Sequence, residues 1–308
     1  MGIDRERLLR LATFWLRPDF VLRVVARFQS IAGFDRAIAL ASSALTATVP
    51  LTIFIGAIVP ADTDAAARMI DRYDLTGDGA QAVRDAFQPA TDVDTGLGIV
   101  GTILLFVAAL SFTRTVQRLF ETTWELPPLT VRNTVGGAKW LLAFVLYLGV
   151  SGAIASMVDR GVGEAIAIVL VAPLMAGFLL WTGIVLSGRR LTARDLLPFA
   201  IVAATLISAY EIGASLYTPH AFNTYAARYG VIGVVFAMIS ALFGLMVALV
   251  GSAAVGREVR VELDNIAAGI RPSEDELRQQ WDVVMTSARA RRAAVRAQLD
   301  RLRRRSVR

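Results

Sequence analysis

The chain has 308 residues, 55% of them hydrophobic, with a mean hydropathy of +0.55, no cysteine, one histidine and a formal net charge of +6. That apolar share exceeds what a soluble domain carries, and the missing cysteines exclude disulfides, thiolate metal sites and cysteine nucleophiles. One histidine, and no Gly-rich phosphate loop with a lysine, leave no triad, metal constellation or ATP-driven motor, so the sequence reads as non-enzymatic, with no cofactor and no metal.

Residues 1–36 read as a cytoplasmic amphipathic segment. Leu8, Leu11, Trp15 and Leu16, then Val21, Val24, Val25 and Phe28, recur at helical spacing with arginines between them. The pattern fits a helix pair lying on a leaflet or packed on a bundle. Seven arginines and no apolar h-region argue against a cleavable signal peptide here.

The apolar excess falls in six continuous stretches: 37–61, 95–113, 140–158, 165–188, 196–218 and 229–256. Roughly 20 apolar residues in a helix span a bilayer, and continuous runs exclude barrel strands, which alternate. The fold class expected is therefore all-α, a polytopic membrane protein with six transmembrane helices. In the first stretch Ser42, Thr46 and Pro50 repeat every four residues. Pro50 removes a backbone hydrogen bond and predicts a kink, and the stripe is expected to face other helices or a wet cavity rather than lipid.

The connection 62–94 is acidic, with eight Asp against three Arg. Its run 74–79 resembles the opening of a calcium loop with Asp85 at the twelfth place, but Thr76 stands where Asp or Asn is usual. A Gly-rich turn ending a helix is the reading preferred. After the second stretch Arg114 and Arg118 can snorkel to lipid head groups, and an amphipathic segment at 116–124 stops at Pro127-Pro128. Pro173 predicts a second kink, and Asp195 with Pro198 supplies helix-start chemistry.

Only the fifth stretch contains an ionisable side chain, Glu211, next to Tyr210. A carboxylate in a bilayer costs a few kcal/mol, so it is expected to be protonated or paired and turned inward. Two readings stand: a proton or head-group site, or a hydrogen-bonded brace between helices. An outer loop at 219–228 should carry His220 and Tyr225, with Tyr229 at the interface, as a loop histidine and an aromatic belt. In the sixth stretch Ser240, Gly244, Ala248, Ser252 and Gly256 form a small-residue face for close packing, central in the bundle or between copies in a homo-oligomer.

From 257 to 308 the chain reads as a soluble helical tail. A capping box at Ser273 and Glu276 starts a helix. The last 20 residues hold nine arginines, Arg303, Arg304 and Arg305 among them, against Asp300 alone. Anchoring on anionic lipid is preferred to a partner helix. Nucleic acid is not expected, because no stacking aromatics are interleaved with the arginines. With the N-terminus inside, the inner connections hold 27 Arg and Lys and the outer ones 5, which predicts both termini in the cytoplasm.

The run 37–51 ending in Pro50-Leu51, the 119–124 elbow, Leu196-Leu197-Pro198, Tyr210-Glu211 and Tyr225 to Tyr229-Gly230 together resemble the YihY/BrkB family of six-span bacterial inner-membrane proteins. The resemblance covers roughly residues 30–256. It is that of a divergent member, since Ser42-Ser43 replaces the family's aromatics and Gly251-Ser252-Ala253 lacks its carboxylate. It implies a bacterial plasma-membrane location and a link to envelope lipid, without a settled activity. The expected function is a transporter or flippase-like carrier of a lipid or other envelope component, its path lined by Glu211, Tyr210, Ser42, Thr46, Pro50 and Pro173. The alternative is a non-catalytic membrane scaffold docking a partner through its basic tail.

Overall fold

The computed structural model describes residues 15, 17–58, 67, 70, 77, 80–81, 95–129, 134–156 and 162–270. These residues are all-helical, without strands. The helices are α1 (Pro18–Ser30), α2 (Gly33–Ile58), α3 (Thr95–Thr123), α4 (Thr134–Ser156), α5 (Val162–Leu186) and α6 (Ala193–Ala267). Two compact units divide the chain, residues 1–27 with 258–308 and residues 28–257. Most of the acidic connection with its calcium-like run, and the tail from 271 with Arg303, Arg304 and Arg305, lie outside the described residues.

In the unit 28–257, α2 packs on α3, and α3, α4 and α5 pack on one another. Gly33 opens α2 because an added Cβ would lie 2.4 Å from the Phe28 ring. The core gathers at one end of the helices, where Leu40, Leu119, Phe120, Leu186, Leu196, Phe199 and Val250 are fully buried. Phe120 meets Phe199 edge-on at 5.3 Å. Between α4 and α5 an aromatic ladder forms. Trp140 stacks on Phe144 at 5.1 Å, Tyr147 stacks on Phe178 at 4.7 Å, and Trp140 Nε1 donates to Thr182 Oγ1 at 3.0 Å.

The helix ends carry their own stop signals. Glu125 (φ 55°) and Gly188 (φ 68°) take left-handed conformations. Leu126 N–H then reaches back to the Glu121 carbonyl at 2.7 Å and Arg189 N–H to the Ile184 carbonyl at 2.8 Å, which satisfies the last carbonyls of α3 and α5. The amphipathic stretch from 116 runs on as the last part of α3, which ends at Thr123. At the start of α6 the Asp195 carboxylate accepts from Thr192 N–H at 3.0 Å and Thr192 Oγ1 at 2.6 Å, as its helix-start chemistry implied. Pro50 and Pro173 sit within helices that run through them.

One expectation is overturned in α6. The outer loop at 219–228 is helix, and the backbone leaves helical geometry only at Gly230 (φ 59°, ψ −138°). Hydropathy placed the break where polar residues cluster. Backbone preference decides instead, because Ala221, Ala226 and Ala227 favour helix and Gly230 alone tolerates the turn. The arms 193–229 and 231–267 therefore run antiparallel. Gly244 lies under Tyr210, where a Cβ would come within 2.6 Å of the ring, and Gly256 lies under Phe199, where a Cβ would come within 2.4 Å of Cα. The small-residue stripe thus serves arm-to-arm packing at Gly244 and Gly256. Ser252 is buried with its hydroxyl on the Ala248 carbonyl at 2.6 Å, and Ser240 stays exposed.

In the other unit, α1 residues face the last turns of α6 through ions. Glu262 pairs with Arg17 at 2.5 Å and Arg23 at 2.7 Å, and Glu258 pairs with Arg27 at 2.9 Å. Val21, Leu22 and Val25 of the same helix point outward. This is the inverse of a water-soluble helix, which buries its apolar stripe and exposes its charges.

Candidate functional site

Glu211 is half-buried on the first arm of α6. The neighbouring Tyr210 hydroxyl donates to the Ala241 carbonyl of the second arm at 2.6 Å, so the two arms are locked one residue from the carboxyl. Tyr147 of α4 is half-buried and held by its stack on Phe178 of α5. One helical turn before Glu211, Ser208 is buried, and its hydroxyl finds no partner among the described residues. A carboxyl and a buried hydroxyl thus lie within one turn of α6. This is a set able to exchange protons or accept a polar group in an otherwise apolar setting.

The other residues expected on this path are elsewhere. Ser42 and Thr46 are exposed on α2, and Thr46 Oγ1 donates to the Ser42 carbonyl of its own helix at 2.9 Å. A hydroxyl satisfied by its own backbone does not need a partner on another helix. Pro173 is also exposed, and the Pro50 side chain lies outside the described residues. His220, Tyr225 and Tyr229 are exposed on the first arm of α6. Among the described residues no group of three or more His, Asp or Glu is placed to hold a metal.

A family model described as Virulence factor BrkB matches residues 24–274. The chain belongs to the BrkB family. No curated protein and no solved structure matches it. The BrkB match takes in Glu211, Tyr210, Tyr147 and Ser208 together. BrkB membership agrees with two stretches long and apolar enough to cross a membrane, Ala193–Ala214 and Val235–Ala267, on a membrane-associated protein.

Two charged clusters escaped the sequence reading. In the first, Glu121 Oε1 accepts from Gln117 Nε2 at 2.9 Å, from Leu129 N–H at 2.7 Å and from Arg190 Nη2 at 3.3 Å. Arg190 also donates to the carbonyls of Pro127 and Ser187. This ties the segment after α3 to the turn after α5. The second is the pairing of α1 with Glu258 and Glu262. Its signal was present as two ladders of four-residue spacing, Arg23 with Arg27 and Glu258 with Glu262, that match in opposite charge. At Arg36, burial and the charge of Arg118 lower the guanidinium pKa.

Proposed function

We propose that this protein is a six-span plasma-membrane carrier of an amphipathic envelope component, with both termini cytoplasmic and Glu211 as its internal polar contact. The reading is that of a transporter, not an enzyme. The observation that carries it is Glu211: the one Asp, Glu, Lys or Arg of the six apolar stretches, half-buried within one helical turn of the buried Ser208 hydroxyl. Helices α2 to α5 have 23–29 residues, about 35–44 Å at 1.5 Å per residue, enough for a hydrocarbon core of about 30 Å. The distribution of side chains supports a lipid solvent. Leu142 is 74% exposed and Ile232 66%, while Glu262 is 2% and Glu121 7% exposed. In water that arrangement is unfavourable on both counts, whereas lipid accepts the outward leucines and drives charges to pair inside.

The test is reconstitution in liposomes with fluorescent lipids, with and without a proton gradient. Native protein should accelerate transfer between leaflets, and Glu211→Gln, which keeps shape and hydrogen bonding but not the titrating proton, should reduce it at least tenfold. Equal rates for both proteins would end the carrier reading. A scaffold is the second reading, favoured by the ion pairs of Arg17, Arg23 and Arg27 with Glu258 and Glu262, which fix a rigid mount at the base of the basic tail.

A further inference from the structure

One face of α3 changes character along its length. Val107, Leu110, Ser111, Arg114, Thr115 and Arg118 follow one another at spacings of three and one, which places them on a single stripe of the helix. Together they line an open groove of about 460 Å³. Its first part is apolar, with Val107 exposed. Its last part is cationic, with Arg114 and Arg118 exposed. Ser111 and Thr115 lie between, and Thr115 Oγ1 spends its proton on the Ser111 carbonyl at 3.0 Å, which leaves its lone pairs outward. From Val107 to Arg118 the stripe rises about 16 Å.

The cationic part is not neutralised by any described residue. Among the described residues no ion pair joins Arg36, Arg114 or Arg118 to a carboxylate. The acid nearest in sequence on the same helix, Glu121, is buried and engaged by Gln117, Leu129 and Arg190. Arg36 reaches the same end of α3, donating through Nη2 to Thr122 Oγ1 at 2.9 Å and through Nη1 to the Arg118 carbonyl at 3.5 Å. Its lowered pKa, from burial and from Arg118, reflects like charges held together. Three guanidinium groups beside an apolar trough present the inverse of one chemical object: a phosphodiester bearing a hydrocarbon chain.

We infer that this groove on α3 binds one anionic glycerophospholipid, its phosphodiester on Arg114 and Arg118 with Arg36 adjoining and its acyl chain along Leu110 and Val107. The inference rests on the membrane-spanning reading above and deepens it, turning two surface arginines into a site of defined stoichiometry. A free phosphate would use the arginines and ignore the trough, so the lipid is the occupant that fits both parts.

The test is native mass spectrometry of the full chain, purified in detergent and mixed with equal amounts of palmitoyl-oleoyl phosphatidylglycerol and phosphatidylcholine. One phosphatidylglycerol should be retained at least tenfold over phosphatidylcholine, with the preference shrinking as salt rises. R118Q should lose roughly tenfold in retention, and R114Q/R118Q more, as expected for removal of charge-assisted contacts. R114K/R118K keeps the charge and should stay within about threefold of native in preference, which separates loss of charge from loss of folding. Equal retention of the two lipids by native protein, unchanged preference in a folded R114Q/R118Q, or full displacement by millimolar inorganic phosphate would each overturn the assignment. The carrier reading fails separately: Glu211→Gln moving lipid normally while R114Q/R118Q loses its bound lipid would remove the carrier and leave this site standing.

Discussion

Substituting Gly256 with alanine tests the hairpin of α6 at its closest approach. The added Cβ would lie 2.4 Å from Phe199 Cα and 2.6 Å from Phe199 N. Ordinary contact needs about 3.4 Å or more, so the arms must separate by about 1 Å, and the obstacle is backbone, which cannot rotate away. Overpacking of this kind costs about 1–3 kcal/mol, and alanine returns about 1 kcal/mol of helix propensity, for a net loss of about 0–2 kcal/mol. Gly251 on the same arm is the control, because a Cβ there meets nothing within 4 Å. Gly251→Ala keeps the propensity gain without the clash. The two variants should therefore differ by the clash alone, about 1–3 kcal/mol, which is roughly 2–10 °C in midpoint for a chain of this size. Thermal unfolding in detergent, followed by circular dichroism, measures the difference. Gly256→Ala melting at or above the midpoint of Gly251→Ala would refute the packing of arm on arm.

Gly230→Ala forces a side chain into φ 59°, ψ −138° and should lower stability by about 1–3 kcal/mol, read as a lower midpoint in the same melt. Glu262→Ala removes the carboxylate 2.5 Å from Arg17 and leaves buried positive charge behind, so it should destabilise by about 3–5 kcal/mol; faster amide exchange over residues 18–27 is the local readout. Glu121→Ala takes an acceptor from Leu129 N–H, Gln117 and Arg190 at once. It should cost about 2–4 kcal/mol, with exchange rising first at residues 124–129.

Fold class was legible because hydropathy and helical continuity depend on local sequence. The start of α6 at Asp195 and the close-packing role of Gly244 and Gly256 were legible for the same reason, since small residues at a four-residue repeat leave few other uses. Facing was not legible. In lipid an apolar residue gains nothing by turning inward, so the apolar residues of α1 did not reveal that Val21, Leu22 and Val25 look outward while Arg23 and Arg27 look in. The clusters at Glu121 and Glu262 depend on partners 69 and 239 positions away, a separation that no local window spans. Glu211 stood out by itself; the buried Ser208 one turn before it did not, being an ordinary member of an apolar run.

The distance along the chain between Arg23 and Glu262 has a consequence for biosynthesis. Arg23 and Arg27 leave the ribosome 239 and 231 residues before the carboxylates that will neutralise them, about 10–50 s at ordinary rates of synthesis. Until those carboxylates are made, neither arginine can form the pairs seen in the folded chain. The clasp therefore closes late, after all the intervening helices have been synthesised.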